Sequence, residues 1–154
     1  MAKTQIVVGD DGLEFVTKAG RVLASLTPTE TGGHLVLYNA ENTPSVALIS
    51  TQGVGSVEVC GTDGVALIRA SCAGSGGAVQ VNDKAGDVKL LLTLIDEEGM
   101  FFAFNEGGQS VAIIGSEGGD GGVDIRDRDG AHVFGVPVWK FARTAYPGTL
   151  PETT

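Results

Sequence analysis

The chain has 154 residues, 42% of them hydrophobic, and sets ten Lys and Arg against nineteen Asp and Glu for a net charge of −9. This length suffices for one domain with a sizeable core, and the hydrophobic fraction argues against a disordered chain. The acidic balance and the scattering of the basic residues exclude a nucleic-acid or anionic-membrane partner from the expectations, because phosphates need a clustered basic surface.

The N-terminal stretch M-A-K-T-Q-I-V-V-G-D lacks a secretory hydrophobic core, so residues 1–11 read as a lead-in strand. The longest mainly apolar run, Val88 to Ile95, is too short for a transmembrane helix, and no membrane insertion is expected. The expected location is the cytoplasm, or a particle or fibre released without a cleaved signal.

Residues 12–137 then repeat. Gly20, Asn42, Gly64, Gly86, Gly108 and Gly130 recur at a step of 22, and Gly33, Gly55, Gly77, Gly99 and Gly121 keep the same step. Constant phase without insertions means that each unit superposes on its neighbours, as in a stacked scaffold. Within each unit apolar residues alternate: Leu13 and Phe15, Leu35 and Leu37, Val57 and Val59, Val79 and Val81, Phe101 and Ala103, Val123 and Ile125. Period two is the mark of a strand with one buried face. A four-residue turn follows, as in N-A-E-N (39–42) or D-K-A-G (83–86), and then a second strand such as Val22, Ala24, Leu26. Asn or Asp at the first turn position bonds to the backbone ahead of it, and Gly or Asn at the last accepts a left-handed conformation.

If four residues form the connection and the strands pair as a hairpin, Phe15 lies opposite Val22 and Leu13 opposite Ala24, and both apolar sets share one face. A three-residue loop would bring Leu23 and Ser25 to that face instead. The turn residues equally suit a solenoid corner whose strands pair between repeats. The expected fold is therefore all-β, with six two-stranded repeats of 22 residues as stacked hairpins or a β-solenoid. A β-trefoil, of similar size, is the alternative, although it calls for a threefold period near 44.

The opposite face of the second strand is unexpectedly apolar. Leu67, Val111 and Val133 occupy one outward column and Leu91 and Ile113 the next, where a wet face calls for polar residues. These five are read as an oligomer interface. Residues 138–154 depart from the repeat and carry Trp139, Phe141 and Tyr146, read as a capping segment or as an aromatic platform for a sugar or a partner protein.

Little in the sequence points to chemistry. Cys60 and Cys72 lack metal-ligand spacing, His34 and His132 fall in different repeats, and no G-x-S-x-G occurs. The acidic run from Gly115 to Gly130 misses a calcium loop at Ile125 and a calcium-binding nonapeptide at Val123, which leaves solvated turns. No catalytic residue, metal ligand or cofactor is nominated. The repeats resemble those of β-solenoids and of fibrous spike or tail-fibre proteins, where short glycine-punctuated strands stack along an axis. The expected function is that of a non-enzymatic structural protein that self-associates into a trimeric spike, fibre or filament. The alternative is an adhesin-like module that binds carbohydrate or a receptor.

Overall fold

The computed structural model describes residues 4–73, 76–95, 97–117 and 120–136. Thirteen strands follow one another: β1 (Thr4–Gly9), β2 (Gly12–Thr17), β3 (Val22–Thr29), β4 (Gly32–Tyr38), β5 (Pro44–Thr51), β6 (Val54–Cys60), β7 (Ala66–Ala73), β8 (Gly76–Asn82), β9 (Val88–Ile95), β10 (Glu98–Phe104), β11 (Ser110–Glu117), β12 (Asp120–Arg126) and β13 (His132–Val136). They form a single antiparallel sheet in chain order, open at β1 and β13. Of the two pairings that the repeat allows, the chain takes the local hairpin, and each 22-residue unit supplies two strands to one meander. An open sheet of this kind is not a trefoil.

The long turns share one geometry. Gly20 N–H donates to the Thr17 carbonyl at 2.9 Å and Thr17 N–H donates to the Arg21 carbonyl at 2.8 Å, and the same pair of bonds recurs at Asn39, Gly61, Asp83, Asn105 and Asp127. The last turn position is left-handed every time, with φ of +76° at Gly108 and +62° at Asn42. The first position reinforces the turn. Asp83 Oδ1 accepts from Ala85 N–H and Asp87 N–H, and Asp127 Oδ1 accepts from Asp129 N–H and Ala131 N–H. Consecutive turns also touch: Asn39 Nδ2 and Thr43 Oγ1 donate to the Thr62 carbonyl, and Asn105 Nδ2 donates to the Arg128 carbonyl. These bonds tie one repeat to the next along a single margin of the sheet.

The register departs from the expected one, and the faces survive by compensation. Because Thr17 pairs with Arg21, the loop proper is three residues, Lys18 to Gly20. That slip alone would turn the second strand over. A bulge then follows at once: Val16 pairs with Val22 but Phe15 pairs with Ala24, so Leu23 is an extra residue. Two one-residue slips restore the parity, and Leu13 ends opposite Leu26 rather than Ala24. The same bulge recurs at Ser45, Leu67, Lys89, Val111 and Val133.

Packing distinguishes the two faces in the opposite sense to that expected. One central row of cross-strand neighbours runs Val36, Ala47, Glu58, Arg69, Gln80, Leu91, Phe102, Ile113, Asp124. On this face sits the core cluster of Leu91, Met100, Phe102 and Ile113, against which Val88, Ile95 and Phe104 pack. The Phe102 and Phe104 rings stack with centroids 6.1 Å apart. The more apolar face, which the alternation marks as inward, is the one left open. Among the described residues there is only one sheet, so no second layer is present to cover it.

Two stability measurements check this account. Gly108→Val is expected to cost about 1–3 kcal/mol, because a β-branched residue is strained at that φ, whereas Gly108→Asn is expected to be close to neutral, as Asn42 already occupies the equivalent position. In the core, Phe102→Ala is expected to cost about 3–5 kcal/mol in denaturant melts, against less than about 0.5 kcal/mol for Val133→Ala at an exposed bulge.

Candidate functional site: the apolar face of the sheet

Two adjacent rows cross the open face. Starting from β1, the first runs Val8, Leu13, Leu26, Leu35, Leu48, Val57, Ala70, Val79, Leu92, Phe101, Ile114, Val123. The second runs Ile6, Phe15, Ala24, Leu37, Val46, Val59, Ile68, Val81, Leu90, Ala103, Ala112, Ile125, Phe134. Neither row contains a polar side chain. Most of their large residues are exposed, Leu92 to 55%. Adjacent strands lie about 4.8 Å apart and residues two apart in a strand about 7 Å, so the patch measures roughly 60 Å by 14 Å, on the order of 800 Å².

A groove of about 820 Å³ follows the first row from Leu26 on β3 to Gly99 on β10. It is hollow because the next row toward the short hairpin loops is mostly small: Gly33, Ser50, Gly55, Cys72, Gly77. A further hollow of about 440 Å³ shares Leu26 and Gly33 with it and extends to Val8 on β1. The second glycine column thus keeps a trough open along the row, which the sequence shows only as a spacing.

The five residues read as an interface fall elsewhere. Leu91 and Ile113 are 1% and 0% exposed and belong to the chain's own core, where they offer no surface to a partner. Leu67, Val111 and Val133 are bulge residues, the first two half-buried and the last exposed. Lys89 occupies the same bulge column and reaches back to the turn carboxylates, with Nζ 3.1 Å from Asp83 and 4.0 Å from Asp87. Trp139, Phe141 and Tyr146, with the capping segment 138–154, lie outside the described residues.

Polar groups gather on the core face. Arg69 Nε donates to Glu58 Oε1 at 2.8 Å, and Ser25 Oγ shares a 3.1 Å hydrogen bond with Tyr38 Oη. Asp124 is nearly enclosed: Arg126 Nε donates to its Oδ2 at 2.8 Å and His132 Nδ1 lies 2.7 Å from its Oδ1. Burial on its own would push the Asp124 carboxyl up. The hydrogen bonds of His132 and Arg126, with the charge of Arg126, more than offset it and hold the carboxyl below its ordinary value. The sequence shows no motif linking a carboxylate to either histidine, because the link is made across the β12–β13 ladder rather than along the chain. An aspartate that orients a histidine is half of a base-assisted nucleophile. Here it braces the end of the sheet, on the face opposite the groove.

The cysteines are both free. Cys72 Sγ accepts from Gly55 N–H at 3.4 Å, while Cys60 stands five residues further along β6, roughly 17 Å away and far beyond disulfide reach. Burial, followed by the neighbouring Glu58 charge, pushes the Cys60 thiol up, which makes it a poor nucleophile at neutral pH. His34 lies within β4. Its neighbours across the ladders are Thr27 and Ile49.

A scan against protein-family models finds no match for the chain, and a search of curated proteins finds none either.

The Asp124 brace gives a pH dependence. Its carboxyl is depressed in the folded chain, so the stability it contributes is fully present above the ordinary value of 3.8 and is lost as the pH falls through the lower folded value. Thermal midpoints are expected to drop on acidification through that window, and Asp124→Asn is expected to flatten the acid limb while lowering the midpoint at neutral pH.

Proposed function

We propose that the chain is a non-enzymatic structural repeat protein that self-associates through its apolar sheet face into a trimeric spike, a fibre or a filament. One observation carries this reading: two uninterrupted apolar rows run from β1 to β12 and to β13, and most of their large side chains are exposed. A lone soluble chain rarely exposes a contiguous apolar patch beyond about 300–600 Å². The patch here, on the order of 800 Å², is what one partner contributes to a stable protein interface.

A copy of the same chain suits this surface better than an unrelated globular partner. The rows run roughly 60 Å at one strand every 4.8 Å or so. Another sheet with the same 22-residue period keeps step with that ruler from end to end. The mixture of Leu, Val, Ile and Ala at alternating heights provides the knobs and gaps that facing sheets interdigitate. Charge distribution points the same way: Glu58, Arg69 and Asp124 lie on the core face and the turn carboxylates at the margin, so among the described residues packing the apolar rows together desolvates no charge.

The test is sedimentation of face variants. Leu48→Asp and Leu92→Asp place a charge in the middle of the patch and are expected to weaken association by at least about a hundredfold, with circular dichroism unchanged. Ile113→Lys buries a charge in the core and is expected to unfold the chain instead. If the unmodified chain sediments as a monomer at tens of micromolar, self-association fails and the carbohydrate- or receptor-binding reading takes its place.

A further inference from the structure

The outer edge of β1, which no described strand pairs, differs from the β13 edge in what it leaves unprotected. Natural sheets blunt their edges with charge, proline or a bulge. The strand Thr4–Gly9, T-Q-I-V-V-G, has neither charge nor proline, and its ladder with β2 runs without a register shift. Ile6 and Val8 are 61% and 76% exposed. The far edge is different: the β12–β13 ladder is bulged at Val133, and the His132 side chain is engaged by Asp124.

The hydrogen-bond phase of β1 follows from its neighbour. Thr17 N–H donates across to Arg21 on the β3 side, so Leu13, Phe15 and Thr17 direct their backbone groups to β3 and Gly12, Glu14 and Val16 direct theirs to β1. Their partners on β1 are Gly9, Val7 and Gln5. Thr4, Ile6 and Val8 are left with N–H and C=O groups pointing away from the sheet.

We infer that β1 pairs antiparallel with β1 of a second copy about a two-fold axis at Val7, joining two sheets into one. Strand parity selects antiparallel pairing of β1 with β1, and the axis at Val7 is the register that the cross-linking below tests. With thirteen strands, β1 and β13 run in the same direction, so adding copies head to tail by translation forces a parallel pair onto an otherwise antiparallel sheet. Turning the second copy over to recover antiparallel pairing puts its apolar face on the wrong side. The two-fold at Val7 avoids both faults: it pairs Ile6 with the partner copy's Val8 through the outward backbone groups, and the two apolar rows of one copy run on into those of the other. The patch, which reaches β1 at Val8 and Ile6, then continues across the seam. This inference rests on the reading of the chain as self-associating and names a second contact for it, at the edge rather than the face.

The geometry is testable by cross-linking. At a non-hydrogen-bonded antiparallel pair the Cα atoms lie about 4.5 Å apart, inside the range a disulfide spans. In a Cys60→Ala, Cys72→Ala background, Val7→Cys is expected to oxidise to a linked dimer. Gln5→Cys, which the same register separates from its copy by roughly 14 Å, is expected to stay monomeric on a non-reducing gel. Ile6→Pro removes an outward N–H and spares the bonds to β2, and is expected to halve the mass of the assembly with the circular dichroism retained. Equal linking of Val7→Cys and Gln5→Cys, or an Ile6→Pro chain of unchanged mass, overturns the edge pairing. The face reading is separated by adding Leu92→Asp. A Val7→Cys link that survives it shows the edge acting alone. A Leu92→Asp chain that loses mass while Val7→Cys fails to link leaves the face contact standing and removes the edge.

Discussion

The whole architecture depends on one local constraint, the left-handed residue that ends each long turn. At positions such as Gly108 and Asn42 the chain must take φ near +70°, which most L-residues resist and Gly or Asn accepts. That conformation closes a three-residue loop and shifts the register by one. The bulge that follows shifts it by one more, at Leu23 and its equivalents. Either slip alone would put the apolar residues of alternate strands on opposite faces. Together they keep thirteen strands in phase, and the fixed step of 22 residues is the record of that pairing.

Consistent phase has an energetic consequence. A single sheet buries one face at most, and here the chain encloses chiefly the segment around Leu91, Met100, Phe102 and Ile113. Most of the exposed large apolar side chains of the described strands stand in the two rows. Burying one Leu or Val side chain fully is worth roughly 1.5–3 kcal/mol, and these side chains already have about half of that from their strand neighbours. What remains is a large association drive spread evenly along the sheet. On the proposed self-association, a chain with 42% hydrophobic residues and few buried ones among the described residues would complete much of its core between molecules.

The strands, their period and the turn chemistry were legible from Gly20, Asn42 and the alternation around Leu13 and Phe15, because each is set by local sterics. Membership of the two faces was legible too, since parity survived the double slip. Which face the chain covers was not. The alternation ranks Leu48 and Leu92 as more inward than Leu91 and Ile113, and it contains no information on whether a second layer exists to meet them. The bulge hid in the same way: Leu67 and Val111 fall in a tidy outward column whether they are ladder residues or extra ones. The Asp124 to His132 contact depends on a cross-strand register that the bulge sets, so neither residue announces the other.

Charge placement decides how such a drive can be satisfied without precipitation. A net charge of −9 repels copies of the chain from one another, yet none of that charge lies on the apolar rows. Packing face against face moves the turn carboxylates to the outside, where water and counter-ions screen them over about 8 Å at physiological ionic strength. A closed arrangement of faces therefore exhausts the apolar surface and leaves an acidic exterior that resists further lateral growth. Growth along the sheet direction would be limited differently, since the proposed two-fold joint at β1 would consume the unprotected edge of both copies and leave the β13 edges, with their bulged ladders, at either end. Faces that close and an edge that pairs once favour an object of finite width. The repeat would supply its regularity, and the acidic margins would keep one such object apart from the next.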